Sequence, residues 1–220
     1  MREQLQHEKT SLGFYLSGHP YQEYANELEN FVKTRLADIT LQALPQNSNN
    51  KRGGTPVVLA GIVSNVRIQQ TRRGRMAIVT LDDGSAQLEM MVFNEVFEAN
   101  RPWIREDELL VVRGKASLDE YSGNMRVNGE ELFDFASARS TFAKRLELSI
   151  SSDARISVTE LKELLEPYRE GKCMVLVCYR NTSGSANLKL GESWSVTLNN
   201  DLMSGLKKLL GEQNVHIAYT

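Results

Sequence analysis

Hydrophobic residues alternate with polar ones through the middle of the chain, in short runs separated by turn signals. Two apolar, β-branched runs, at residues 57–70 and 76–81, flank a loop that holds three arginines around one glycine. The second run stops at an Asp-Asp-Gly turn sequence, and a third run begins at Ala86. The pattern predicts a β-hairpin with a basic loop, followed at once by a third strand.

The region from residue 55 to 137 contains five strand candidates. They are residues 57–70, 76–81, 86–93, 108–117 and 124–135. A short helix, with Asn94 as its expected N-cap, separates the third candidate from the fourth. Five strands with a helix at this place are the order of an OB-fold, a small barrel that often binds nucleic acid. We expect Phe93 in the barrel core and Trp103 at its lower end.

The segments on either side have different patterns. Residues 1–44 place leucines and aromatic residues at helical spacing, with a second helix beginning at Pro20, and the polar residues 45–54 resemble a linker. Residues 138–220 mix strands with two helices, including an expected strand at 194–198, which indicates a small α+β domain. The sequence therefore predicts a helical segment and linker at 1–54, an OB-fold domain at 55–137 and an α+β domain at 138–220.

Charge is distributed unevenly along the chain. The net charge is −2, yet residues 57–81 contain four arginines and no acidic residue. Nucleic-acid binding would then depend on a local patch and would be modest and salt-sensitive. A solvated hairpin tip is the competing interpretation of the arginine loop. The candidate nucleic-acid-binding residues, for phosphate contacts and base stacking, are Arg67, Arg72, Arg73, Arg75, Lys115, Tyr121 and Arg126.

The sequence contains no catalytic pattern that we recognise. Phosphate-binding loops and nucleophile elbows are missing, the histidines are scattered, and Cys173 and Cys178 point to opposite faces of one strand. The pair Asp82 and Asp83 suits a turn better than a metal site. We predict no catalytic residue, no metal site and no cofactor in this chain.

The composition is that of a soluble protein, with 41% hydrophobic and 25% charged residues. The first eight residues are charged and lack the apolar core of a signal peptide, and no apolar run approaches the roughly 18 residues of a membrane helix. We predict a cytoplasmic protein that does not associate with membranes. In the last domain, Leu188, Leu190 and Trp194 are either anchors of a protein interface or parts of a small core.

Two runs of the sequence resemble bacterial replicative DNA polymerase III alpha subunits. The run from Glu8 to Pro20 reads Glu-Lys-Thr-Ser-Leu-Gly-Phe-Tyr-Leu-Ser-Gly-His-Pro and resembles the segment before the OB domain of that family. The run from Val79 to Glu89 resembles the second and third OB strands. The resemblance covers essentially the whole chain and ends where those subunits end.

The resemblance implies that this chain is part of a larger DNA-directed DNA polymerase, which extends a primer with Mg²⁺ held by palm aspartates. Palm, fingers, phosphoesterase-like domain and clamp-binding peptide are not found in this chain. The resemblance further implies that the OB domain handles single-stranded template DNA. The last domain would bind the tau subunit of the clamp loader, and the missing upstream part would contact the other replicase subunits.

Two alternatives remain open. The Leu-Asp-Asp-Gly turn is also similar to anticodon-binding OB modules of RNA-handling enzymes such as aminoacyl-tRNA synthetases, although no synthetase catalytic block is present. A purely structural connector is the other alternative. The acidic residues around the fourth and fifth strands favour a barrel that no longer binds nucleic acid.

Overall fold

The computed structural model describes residues 7–8, 10–12, 15–41, 54–72, 74–118, 125–152 and 156–219. The chain divides into two units, Met1–Phe135 and Ala136–Thr220. The boundary between them lies close to the one expected after residue 137.

The segment before the barrel contains the helices α1 (Gln22–Leu28) and α2 (Leu36–Leu41). Pro20 lies in the turn before α1, whose N-cap is Tyr21, so the expected helix start at Pro20 is wrong by two positions. Phe31 and Val32 are buried but follow the end of α1. The apolar residues at helical spacing therefore predicted these buried positions correctly, but Phe31 and Val32 lie after the helix and not within it. Residues 45–53 of the linker expected at 45–54 lie outside the described residues.

The first unit is built on a barrel. Its strands are β1 (Thr55–Thr71), β2 (Gly74–Asp82), β3 (Gln87–Phe93), β4 (Leu109–Leu118) and β5 (Met125–Phe133), and α3 (Asn94–Asn100) lies between β3 and β4. In the described part of the chain these strands close in the order β1-β2-β3-β5-β4. The β3–β5 pair is parallel and the other pairs are antiparallel. This confirms the predicted OB-fold.

The side chains that fill the barrel come from every second residue of its strands. Leu88, Met90 and Val92 on β3 are buried, as are Ala77 and Val79 opposite them on β2, because alternate side chains of a strand share one face. Trp103 is partly buried against this core.

The outer surface of the barrel is open on one side and covered on the other. Ala60 and Ile62 on β1 are buried although their neighbours Leu59 and Val63 fill the core, and Leu109 and Val111 on β4 are buried too. The bulge in β1 between Val63 and Asn65 follows this covered stretch. Beyond it, Asn65, Arg67 and Gln69 are exposed. The later half of β1, with β2 and β3, presents an outer face to solvent, and the side chains of Lys115 on β4 and Glu130 on β5 are also exposed.

Hydrogen bonds join the segment before the barrel to the barrel itself. The Tyr15 hydroxyl donates to Asp107 Oδ1 at 2.8 Å, and His19 Nε2 lies 3.2 Å from Asp82 Oδ1. Burial, together with the Asp107 carboxylate, raises the pKa of Tyr15. The block that carries the family resemblance therefore has a structural role at the edge of the barrel.

The Asp82-Asp83 pair forms a turn, as predicted. Asp82 Oδ1 accepts from the Gly84 N–H at 2.8 Å, and Asp83 accepts from the N–H groups of Ser85 and Leu36. Burial alone would raise the pKa of Asp83, but hydrogen bonds from Ser85, Leu36 and Ala86 outweigh it and lower the pKa. Asp83 therefore links the β2–β3 turn to the start of α2.

The second unit is a four-stranded sheet with helices, which confirms the α+β prediction. Its elements are α4 (Phe135–Phe142), β6 (Ala143–Ser151), α5 (Val158–Leu165), β7 (Arg169–Arg180), β8 (Ser185–Lys189), α6 (Asn200–Leu210) and β9 (Val215–Tyr219). In the described residues the strand order is β8-β7-β6-β9, and only β6 and β7 are parallel. Ser157 and Glu160 form a capping box at α5, and Asn199 caps α6.

The expected strand at 194–198 is wrong. Residues Glu192–Trp194 form a 3₁₀ turn, and the extended residues after it make only single bridges, from Val196 to Arg169 and Cys173. Val196 is nevertheless fully buried. Apolar alternation therefore identified the buried side chains here but not the pairing.

Candidate nucleic-acid interface

The outer surface of β1, β2 and β3 carries three rows of side chains, each with one residue from each strand. The rows are Gln69, Met76 and Phe93; Arg67, Ile78 and Met91; and Asn65, Thr80 and Glu89. On β2 and β3 these residues alternate with buried ones such as Ala77 and Val79, so they point away from the core, and the β1 residues share their face by register. We call these nine residues the open face.

Phe93 is the aromatic residue of the open face. It is 52% exposed, and it lies opposite Met76 in the ladder. The expectation that it belongs to the core is wrong, because Leu88, Met90 and Val92 take the inward positions and the next residue must point outward. The strand period contained this signal. An exposed ring on a flat strand surface can stack on a nucleic-acid base.

The arginine hairpin lies beside this ring. Thr71 pairs with Gly74, and the Thr71 hydroxyl donates to the Gly74 carbonyl oxygen at 2.7 Å. Gly74 has φ 110, and a Cβ there would lie 2.9 Å from the Asn94 side chain, so the position requires glycine. Arg72 is exposed at the tip. Arg73 lies outside the described residues.

Asn94 supports the hairpin and is not an N-cap. Its Oδ1 accepts from the Arg75 N–H at 3.2 Å, whereas Phe93 occupies the N-cap position of α3 without a side-chain hydrogen bond. The expected capping role is therefore wrong. The amide instead holds the base of the arginine loop against the helix.

Two of the predicted arginines form ion pairs. Arg67 on β1 contacts the Glu89 carboxylate on β3, and Arg75 Nη2 lies 2.7 Å from Glu98 Oε1 on α3. The four side chains are between about one third and three fifths exposed. Exposed pairs of this kind contribute about 1 kcal/mol or less each. The patch is consequently less positive than residues 57–81 alone suggest.

The remaining predicted contacts lie on the other strands. Lys115 on β4 pairs with Glu130 at 2.7 Å, and Arg126 is exposed on β5. Asn128 connects Lys115 to the open face, because it pairs with Lys115 on one side and with Met91 on the other. The row through Arg67 therefore continues around the barrel to Lys115. Tyr121 lies outside the described residues.

The predicted protein anchors differ in exposure. Leu188 on the edge strand β8 is 56% exposed. Leu190 and Trp194 pack partly against the core of the second unit. The Trp194 ring is also covered by Arg169, whose guanidinium carbon lies 4.4 Å from the ring centroid. Leu188 is thus the most accessible of the three.

The described residues contain no group of three or more His, Cys, Asp or Glu side chains that could hold a metal ion. Cys173 is buried, and burial raises the pKa of its thiol to about 11. A thiol with this pKa is a poor nucleophile near neutral pH. Among the described helices, none is long and apolar enough to cross a membrane.

Comparison with known proteins assigns both units. Residues 57–134 match the family model of the OB-fold nucleic acid binding domain, and residues 160–211 match that of the DNA polymerase III subunit alpha C-terminal domain. The structure of RecG bound to a three-way DNA junction is similar over 56% of this chain and 16% of that one, at 16% identity and a TM-score of 0.35.

Similar sequences cover nearly all of the chain. The DNA polymerase III alpha subunit of Vibrio cholerae is 34% identical over 98% of this chain. That of Escherichia coli K12 is 32% identical over 96%. The chain spans only 18% of the length of either relative. With its OB-fold nucleic-acid-binding domain followed by the C-terminal domain, the chain belongs to the DNA polymerase III alpha subunits and corresponds to their C-terminal region.

Proposed function

We propose that the open face binds single-stranded template DNA and that this chain is a non-catalytic module of a replicative polymerase. The observation that carries the proposal is the exposed Phe93 ring on a strand surface that also holds Arg67. Single-strand binding combines aromatic platforms for bases with cations that follow the backbone. The open face and the adjacent hairpin provide both.

Single strands fit this surface better than duplexes do. Phe93, Met76 and Met91 lie in adjacent rows on one sheet, so they offer a shallow apolar surface. Stacking on such a surface requires bases whose faces are free, and the bases of a duplex are already stacked on one another. Arg72 is exposed at the hairpin tip, and in this proposal its guanidinium contacts a phosphate of the same strand.

Polymerisation belongs to other parts of the polypeptide in this proposal. The relatives are several times longer than this chain. We assign the primer-extension chemistry, its Mg²⁺ and the contacts with other replicase subunits to upstream regions, with the whole protein in the cytoplasm. This segment uses no cofactor of its own.

A substitution in the arginine loop tests the DNA-binding proposal. Replacing Arg72, Arg73 and Arg75 together with serine should weaken single-strand binding about tenfold at low salt and flatten its salt dependence by about one unit or less per lost phosphate contact. Fluorescence anisotropy of a labelled single-stranded oligonucleotide, titrated at two salt concentrations, measures both quantities.

A matched control distinguishes an effect of the arginine loop on binding from an effect of the lower net charge. Lys172, Lys207 and Lys208 are exposed in the second unit, and replacing all three with serine removes the same charge. This control should bind like the wild type. Absence of binding by the wild type, or unchanged binding by the loop variant, would contradict the assignment. A preference for tRNA would favour the RNA-handling alternative.

We further propose that the second unit tethers the polymerase to the tau subunit of the clamp loader. The observation in favour is the edge strand β8, whose residues Ser185–Lys189 are all exposed and include Leu188. An edge strand leaves backbone groups available to an added strand of a partner. An apolar side chain at such an edge can anchor the contact.

Leu188→Ser should weaken tau binding about tenfold, because an interface anchor typically contributes more than about 1 kcal/mol. Surface plasmon resonance with immobilised, purified tau subunit measures the change. Val158→Ser is the control, because Val158 is also exposed but lies at the start of α5. Equal affinities for wild type and Leu188→Ser would show that tau does not use this edge.

A further inference from the structure

Two arginines, Arg67 of the open face and Arg75 of the hairpin, are each paired with a carboxylate from a neighbouring element. Glu89 lies in the same open face as Arg67, and Glu98 reaches Arg75 from α3. Both glutamates are at least one third exposed. Neither pair is buried, so neither is needed to compensate a desolvated charge.

Carboxylate and phosphate groups compete for the same donors. A guanidinium presents a planar set of N–H groups that fits either oxyanion. The Glu98 oxygen at 2.7 Å from Arg75 Nη2 therefore occupies a position at which Arg75 donates to an oxyanion. The Glu89 carboxylate does the same at Arg67.

We propose that Glu89 and Glu98 occupy the phosphate positions in the absence of DNA, and that a single strand binds by displacing them. This inference rests on the proposed DNA binding and specifies which residues determine the affinity for single-stranded DNA. Exposed ion pairs contribute little, so displacement is accessible at modest cost. The two glutamates are thus affinity-determining residues.

The exchange predicts a shallow salt dependence. When a phosphate replaces a carboxylate, the DNA releases a counterion, but the freed glutamate attracts a cation from solution. The net ion release per contact is then smaller than the number of arginine contacts would require. Such a surface holds DNA weakly over a wide range of salt, which suits a template that must move past the protein.

The double variant Glu89→Gln, Glu98→Gln tests the exchange. It removes the competing charges and preserves side-chain size, so binding of a labelled single-stranded oligonucleotide should tighten roughly three- to twentyfold at low salt. The slope of log affinity against log salt should become steeper by up to about 0.7 per carboxylate. A merely structural role for the glutamates would not steepen this slope.

The control changes net charge equally at other places. Glu131 pairs with Arg113 on β4, and Glu166 pairs with Arg169 in the second unit, both as exposed ion pairs. Glu131→Gln with Glu166→Gln should leave affinity and slope close to wild type. If the control variant bound DNA as much more tightly as the Glu89 and Glu98 variant, or if the latter bound like the wild type, the proposed exchange would be wrong. The proposed DNA binding would still stand. No binding by any variant would overturn the proposed DNA binding as well.

Discussion

Phe93→Ala is expected to weaken single-strand binding roughly five- to a hundredfold, because base–aromatic stacking contributes about 1–3 kcal/mol per base. The ring is half exposed and lies outside the buried cluster of the barrel, so stability should change by about 0.5 kcal/mol or less. The salt slope should stay constant, since no phosphate contact is lost. Anisotropy titrations at several salt concentrations measure affinity and slope together.

Two further variants define the outcome at Phe93. Phe93→Trp keeps a stacking surface and should bind at least as tightly as the wild type. Tyr179→Ala removes another partly exposed aromatic ring, in the second unit, and should have no effect. If Phe93→Ala binds like the wild type while the arginine-loop variant does not, the open face contributes charge without stacking.

Gly171→Ala is expected to destabilise the second unit by about 3 kcal/mol or more. A Cβ on Gly171 would lie 1.9 Å from the carbonyl carbon of Val196 and 2.1 Å from the nitrogen of Thr197. These are backbone atoms, held by the hydrogen bond from the Gly171 N–H to the Ser195 carbonyl oxygen at 3.0 Å. No side-chain rotation can relieve the overlap.

Urea unfolding followed by Trp194 fluorescence measures the effect of Gly171→Ala, in a Trp103→Phe background that leaves Trp194 as the single tryptophan. Gly191→Ala is the matched control. A Cβ there meets no atom within 4 Å, and Gly191 has φ −63, which alanine adopts readily. A midpoint for Gly171→Ala equal to that of Gly191→Ala would mean that the 195–197 segment moves aside at little cost.

The barrel was predictable because its signals are local. Hydrophobic alternation, the Asp-Asp-Gly turn and the helix after β3 each depend on a few adjacent residues, and together they identify the OB-fold. The same alternation placed Phe93 outward, but its hydrophobicity favoured a core assignment. Asn94 showed the opposite difficulty. Asparagine is a favoured N-cap residue, but the side-chain oxygen of Asn94 accepts a hydrogen bond from the Arg75 N–H of a neighbouring strand.

The second unit shows where alternation is insufficient. Val196 is buried as the pattern indicates, but it contacts the start of β7 through single bridges and does not form a strand. Burial requires apolar side chains at alternate positions whether or not the backbone pairs with a neighbour. The close approach at Gly171 depends on residues 25 positions away in sequence, and no local signal reports it.

The sequence by itself determined the inward and outward sets of barrel residues, the position of the arginine loop and the membership in the polymerase family. Only the tertiary structure decided which part of the outward set is open. It also showed that Glu89 and Glu98 neutralise Arg67 and Arg75. The physical reason is the sequence separation of the residues involved. Alternation arises among neighbouring residues of one strand, whereas the covering of a face or the pairing of a charge requires residues from another element of the fold.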